Sequence, residues 1–225
     1  MTQLGVEVFP TASYAADAAE AIARALPGEG SLVLTGGTTA ARIYSHLAQV
    51  APAHIAKLEV LFSDERSVPP EHEESNFKMA NDLLLQPRGI RTVHRMRGED
   101  PPAKAAAAYG RSIAPVVQRG LDLVLLGMGA DAHIGAMFPG SPALHESQQL
   151  CAAVDRPDGM QGLTLTPPAM RSGRKVLLLV AGEGKAATVR RVIHGDEPVE
   201  RCPARLLADH SDATFLLDEA AASAL

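Results

Sequence analysis

Short apolar runs broken by glycine, proline and charge set the rhythm of this chain. The runs at 31–35, 58–63, 121–126 and 175–181 are too short for stable helices and too continuous for half-exposed strands. They predict strands buried on both faces of a parallel sheet. Ala-rich stretches with interleaved polar residues predict the helices: 15–26, capped by Ser13 and stopped by Pro27-Gly28, and a second from a cap at Thr38 or Thr39 to about residue 50. Further helices are expected over 74–85, over 102–119, and from the turn at Lys185 to about His194. Shorter strands at 5–9, 90–94, 163–166 and 213–217 complete the pattern, with Pro167-Pro168 opening another helix. This alternation predicts an α/β chain: a three-layer α/β/α arrangement around a mostly parallel, Rossmann-like sheet. It reads as a single domain over residues 1–225, without linker, repeat or low-complexity tract.

Composition narrows the partners. At 225 residues and 46% hydrophobic content the chain can bury one large core. A net charge of -5 with no Lys/Arg cluster argues against nucleic acid and leaves a small anion as the ligand class. The N-terminal stretch shows neither a basic nor an apolar targeting segment, and no run approaches a membrane span, so a cytoplasmic protein without membrane contact is expected. Cys151 and Cys202 are far apart and without metal spacing; they are expected as free thiols, and no metal site is predicted.

Candidate chemistry gathers where the buried strands end, the edge at which open α/β sheets keep their ligands. After 121–126 comes Gly127-Met128-Gly129, then Asp131 and His133 two residues apart. In extended backbone these would point the same way and offer an acid and an imidazole to one pocket. After 31–35, the turn Gly36-Gly37 and Thr38 sets free N–H groups and the positive end of a helix dipole where a phosphate could sit. The spacing is neither that of a Walker loop nor that of a dinucleotide fingerprint, so no nucleotide cofactor is implied. After 58–63, Asp64-Glu65-Arg66 precedes a proline-stiffened loop, making Arg66 a candidate anion ligand and Asp64 a candidate for a sugar hydroxyl or a proton. After 175–181, Lys185 stands at a strand-to-helix turn as a further point charge. The remaining histidines, at 46, 54, 72, 94, 145, 194 and 210, have no acidic or histidine partner at a telling spacing and read as scaffold or surface.

Four motifs in order resemble the 6-phosphogluconolactonase family: Thr35-Gly-Gly-Thr-Thr39, Ser63-Asp-Glu-Arg-Ser-Val-Pro69 with Ser75-Asn76, Leu126-Gly-Met-Gly-Ala-Asp-Ala-His133 with Phe138-Pro-Gly140, and Gly182-Glu-Gly-Lys185. The resemblance covers nearly the whole chain. It implies the NagB-like fold shared with glucosamine-6-phosphate deaminases, and hydrolysis of 6-phospho-D-glucono-1,5-lactone in the oxidative pentose phosphate pathway. It implies no cofactor, a small sugar-phosphate lactone as partner, and a monomer or weak homodimer. His133 takes the role of general base with Asp131 as its orienting acid, the glycine loops supply oxyanion donors, and Arg66, Lys185 and Gly36 to Thr38 hold the phosphate.

Three positions, in two places, depart from the family pattern. Asp131-Ala132-His133-Ile134 stands where the family has Asp-Gly-His-Thr, which predicts strain at Ala132 if that position needs positive φ. Gly162 stands where the family carries a phosphate-binding arginine, with Arg156 and Arg171 as the nearby cations able to replace it. Rival readings are an isomerase or deaminase of the same fold and a non-catalytic sugar-phosphate-binding protein. Arg66 after the acidic pair favours the lactonase over the deaminases, for which released ammonia would be the mark.

Overall fold

The computed structural model describes residues 4–225; the first three residues of the expected domain lie outside the described residues. In chain order the first half runs β1 (Gly5–Phe9), α1 (Tyr14–Ala25), β2 (Ser31–Leu34), α2 (Thr38–Val50), β3 (Glu59–Phe62), β4 (Asp64–Arg66), α3 (Asn76–Ala80), α4 (Gln86–Arg88) and α5 (Pro102–Arg119). The second half runs β5 (Leu121–Gly127), β6 (Cys151–Asp155), β7 (Gln161–Leu165), α6 (Pro167–Arg171), β8 (Gly173–Val180), α7 (Ala186–His194), β9 (Ala213–Asp218) and α8 (Glu219–Ala222).

Six strands form the central sheet in the order β1-β9-β8-β5-β2-β3, all pairs parallel. Its middle is apolar because helices cover both faces: Leu32 to Leu34, Leu123 to Leu126 and Val176 to Val180 are all buried. From β2 the chain steps outward to β3, whereas from β5 it steps the other way to β8 and β9, so the strand order reverses between β2 and β5. A crevice at such a reversal, beyond the carboxyl ends of the strands, is where this architecture holds ligands. The Ala-rich helices pack through small faces, as Ala18, Ala19 and Ile22 of α1 show by their complete burial.

Two buried tyrosines fix the ends of the strands that lead to this crevice. The Tyr44 hydroxyl of α2 accepts from the Thr35 N–H (2.9 Å) and donates to the Thr35 carbonyl (3.0 Å). Tyr109 of α5 does the same for Phe62, at 2.8 and 3.0 Å. Each hydroxyl thereby satisfies a backbone donor and acceptor just where its strand runs out. Burial pushes both phenols well above their usual range, so they stay protonated.

Several expectations are corrected. Asp64 to Arg66, expected only as the residues following the 58–63 strand, form a strand of their own: β4 joins β7 and β6 in a small antiparallel sheet, with Arg66 opposite Gly162 and Gly162 opposite Val154. Ser63 joins the two sheets, its N–H donating to Leu34 (2.8 Å) and its carbonyl accepting from Leu165 (2.7 Å). The stretch 90–94 makes only a single bridge, Val60 to Val93. Neither Thr38 nor Thr39 caps α2; Gly37 does, at φ 96° and ψ 163°, a conformation open to glycine. Ser13 occupies the N-cap position of α1, but its hydroxyl bonds Asp17 (2.6 Å) instead of a backbone N–H. The helix expected over 74–85 begins at Asn76 and passes through a π-helical turn, Asn81–Leu85, into α4. Both cysteines are free and buried. Among the described residues no helix is long and apolar enough to cross a membrane, and no group of three His, Cys, Asp or Glu could hold a metal ion.

Candidate active site

A cavity of about 300 Å³ opens at the reversal point, lined among others by Gly36 to Ala40, Asp64, Arg66, Gly127 to Gly129, His133, Arg156 and Lys185. All eight residues singled out in the sequence belong to this neighbourhood: seven line the cavity, and Asp131 stands behind His133.

His133 and Asp131 do meet, but not through extended backbone. Ala132 between them has φ 70°, the only positive φ at a non-glycine position among the described residues. The resulting turn brings His133 Nδ1 to 2.7 Å from Asp131 Oδ1, which also accepts the His133 N–H at 3.2 Å. A carboxylate at Nδ1 places the ring proton there and leaves the Nε2 lone pair free, the tautomer that a base needs. Burial pushes the Asp131 carboxyl up, but hydrogen bonding and charge from His133 outweigh it and hold the acid below its usual range. The ring is seated against Phe138, centroids 4.5 Å apart. Gly129 is indispensable beneath it, since a Cβ there would lie 2.1 Å from Nδ1.

The strained turn is held from outside. The Ala132 carbonyl accepts from Ala204 (2.9 Å), its N–H donates to Gly129 (3.1 Å), and its methyl is fully buried. The predicted cost of replacing glycine here, roughly 1 kcal/mol, is therefore incurred. Ile134 turns into the core and is fully buried, away from the base.

Arg66 is aimed by a network that starts at Glu65. That carboxylate, 2% exposed, accepts the N–H groups of Arg66 (2.9 Å), Asn76 (2.7 Å) and Phe77 (2.8 Å) and the Ser75 hydroxyl (3.0 Å). Burial raises the Glu65 carboxyl above its usual range while the four donors pull it back. The start of α3 is thus fixed, and Asn76 turns inward. Its amide donates to Asp64 Oδ2 (3.0 Å) and to the Asp64 carbonyl (2.9 Å), and its oxygen accepts from Arg66 Nη1 (2.8 Å). Arg66 also donates to the Glu74 carbonyl (2.7 Å), while its Nε has no partner. Asp64 is buried and receives the Ser63 hydroxyl at 2.7 Å. Gly36 packs so closely on Asn76 that a Cβ would fall 2.0 Å from its oxygen, which explains the glycine without invoking a ligand.

The Gly36-Gly37 turn and Thr38 open α2 toward the cavity, where first-turn N–H groups have no intrahelical acceptor. Of the two glycine loops expected to offer oxyanion donors, the β5 loop has two N–H groups already engaged. The Gly127 N–H donates to Thr35 Oγ1 (3.2 Å) and the Gly129 N–H to the His133 carbonyl (3.0 Å), so neither is free. Lys185 is half-buried; burial lowers its ammonium and the charge of the Asp131 carboxylate partly draws it back.

Sequence reasoning passed over Asn76 as a working residue, because Ser-Asn at a helix start reads as capping. It also left Arg156 as one of two substitutes: Arg156 lines the cavity, whereas Arg171 is exposed on α6 and does not. His94, read as unpartnered, sits 2.7 Å from Glu59, a partner 35 residues away that spacing along the chain cannot reveal. A larger cavity of about 670 Å³ lies beyond Arg156, lined by parts of 138–147 and 152–157. Neither Asp131 nor His133 lines it; His133 lines the smaller one.

The chain is similar to known proteins along its whole length. It is 35% identical over 243 aligned positions to the 6-phosphogluconolactonase of Mycobacterium tuberculosis, covering 98% of both chains. It is 33% identical to the human 6-phosphogluconolactonase over 208 positions, 87% of this chain and 80% of that one. The solved structure of 6-phosphogluconolactonase from Trypanosoma cruzi superposes with a TM-score of 0.87 at 28% identity, covering 100% and 98%. A monomeric glucosamine-6-phosphate deaminase, at 22% identity and a TM-score of 0.84 over 99% and 100%, shows the same fold. The family model for glucosamine-6-phosphate isomerases/6-phosphogluconolactonase matches residues 10–216. With this match over most of its length, the chain belongs to the glucosamine-6-phosphate isomerase/6-phosphogluconolactonase family.

Proposed function

We propose that the chain hydrolyses 6-phospho-D-glucono-1,5-lactone to 6-phosphogluconate, with His133 as the general base. The observation that carries the reading is the oriented imidazole: Nδ1 engaged by Asp131, and the ring lining the cavity that Arg66 and Lys185 also line. In this scheme Nε2 takes a proton from water as its oxygen bonds to the lactone carbonyl carbon. The tetrahedral intermediate then breaks the ring C–O bond, and the proton passes from Nε2 to the leaving oxygen. Asp131 stabilises the imidazolium between the two steps. Arg66, Lys185 and the Gly36 to Thr38 turn hold the phosphate away from the reacting carbon, so binding energy there positions the ring. The Gly127 and Gly129 N–H groups are committed elsewhere, whereas those of the Gly36 to Thr38 turn are open to the phosphate. The resident groups thus supply base, orientation and anion binding without a cofactor.

The test is acid release from freshly generated 6-phosphogluconolactone beside gluconolactone, each corrected for spontaneous hydrolysis. A strong preference for the phosphorylated lactone is expected, and His133→Ala should reduce its turnover by roughly 100-fold or more with the fold intact. A folded variant that retains wild-type turnover would reject His133 as the base. No rate above background in the wild type, or ammonia released from glucosamine 6-phosphate, would reject the lactonase reading.

A further inference from the structure

One cation in the cavity has no role yet. Arg156 follows β6 and has no strand register linking it to the site motifs, yet its side chain is only 11% exposed and lines the cavity with Arg66 and Lys185. Its path is explained by Gly162. That residue stands on β7 directly opposite Arg66, and a Cβ built on it would lie 3.0 Å from the Glu65 carbonyl oxygen, 3.2 Å from Arg156 Cδ and 3.6 Å from Cγ. The stem of Arg156 therefore fills the space that a side chain at position 162 would take. Its guanidinium lies 5.5 Å from the centre of the Phe138 ring, the ring that also seats His133. Its Nε and Nη2 both donate to Asp158 Oδ2, at 3.1 and 3.0 Å, within a tight turn that Gly159 allows at φ 82°. Burial pushes the Asp158 carboxyl up, but hydrogen bonds from Arg156 and the Met160 N–H, with the charges of Arg156 and Arg66, outweigh it and hold the acid below its usual range.

We propose that Arg156 is a phosphate-binding residue of this site, delivered across the β6–β7 pair because Gly162 leaves its place open and held ready by Asp158. The inference rests on the reading of the cavity as a sugar-phosphate site. A guanidinium is well suited to this role, since its planar fork can keep one edge on Asp158 and turn the other toward an anion, while its charge lies over the Phe138 ring. Arg156 also lines the larger cavity beyond, as does Phe138.

The experiment is calorimetric titration of the full chain with 6-phosphogluconate and with gluconate, in the wild type and in Arg156→Ala. Arg156→Ala should weaken 6-phosphogluconate by roughly 10- to 100-fold, and the ratio of the two affinities should fall with it. Arg156→Lys keeps the charge and stem but not the fork, and should fall between the two; it also serves if the alanine variant unfolds. The proposal is overturned if Arg156→Ala binds 6-phosphogluconate within twofold of the wild type, or if gluconate weakens equally. It is overturned together with the site if the wild type binds no 6-phosphogluconate. Arg156-dependent binding without lactone hydrolysis would support this inference while rejecting the hydrolytic reading.

Discussion

Glu65→Gln is the most telling change outside the catalytic pair, because it alters one atom in a group with four defined donors. The amide oxygen can take the place of Oε1 and keep the Arg66 and Asn76 N–H groups, at 2.9 and 2.7 Å. The amide nitrogen then takes the place of Oε2. It can donate to Ser75 Oγ, but it faces the Phe77 N–H, donor against donor, where 2.8 Å now separates donor from acceptor. One buried donor left without an acceptor costs about 1–3 kcal/mol. The surviving bonds also lose their charge assistance. Part of this is returned, because burial already holds the Glu65 carboxyl above its usual range and the amide removes that charge. The net expectation is a loss of about 1–2 kcal/mol, against about 3–5 kcal/mol for Glu65→Ala, which strands all four donors. Urea unfolding reads both values, provided the slope stays constant between variants. A second signature is kinetic: loosening the start of α3 displaces Asn76 and with it Arg66, so KM for the phosphorylated lactone should rise more than kcat falls. A glutamine variant as stable as the wild type, with an unchanged KM, would refute the claim that this carboxylate organises the site.

Asp131 carries a pH signature. Its folded carboxyl is held below the usual range, so the stability it contributes is present above the ordinary carboxylate pKa and is lost as pH falls through the folded value; acid unfolding of Asp131→Asn should lack that component, and its turnover should drop roughly 10- to 100-fold as the imidazole loses its anchor. Ala132→Gly relieves the strain at φ 70° but gives up a buried methyl and loosens the unfolded chain. These contributions, one gain and two losses of about 1 kcal/mol each, should leave a net loss of about 1 kcal/mol, and a loss of about 2 kcal/mol or more would mean that the turn is not strained.

The buried strands and the helix over 102–119 were legible because their signals are local: continuous apolar runs, and an alanine-rich period closed by Arg119-Gly120. The convergence of Gly36, Asp64, Arg66, His133 and Lys185 followed from strand ends in a parallel sheet, where topology gathers residues far apart in the chain. What escaped was set by pairing between distant segments. β4 spans only three residues and β6 alternates weakly, so their antiparallel sheet exists through register with β7 and not through periodicity. The place of Arg156 depends on the absence of a side chain at Gly162 across that register. The turn at Ala132 was foreseen only as a condition, because alanine carries no preference for positive φ that would announce it.

The Tyr44 and Tyr109 clamps bear on how the molecule opens. In an ordinary sheet the last amides of a strand fray and exchange their hydrogens with solvent long before the centre does. Here the amides of Thr35 and Phe62, at the very ends that lead to the site, are each held by a hydroxyl from a helix packed on the sheet. Their protons can be released only when α2 or α5 lifts away. Exchange at these two amides should therefore follow helix undocking instead of strand-end breathing, making them reporters of whether the floor of the cavity opens separately from the sheet beneath it.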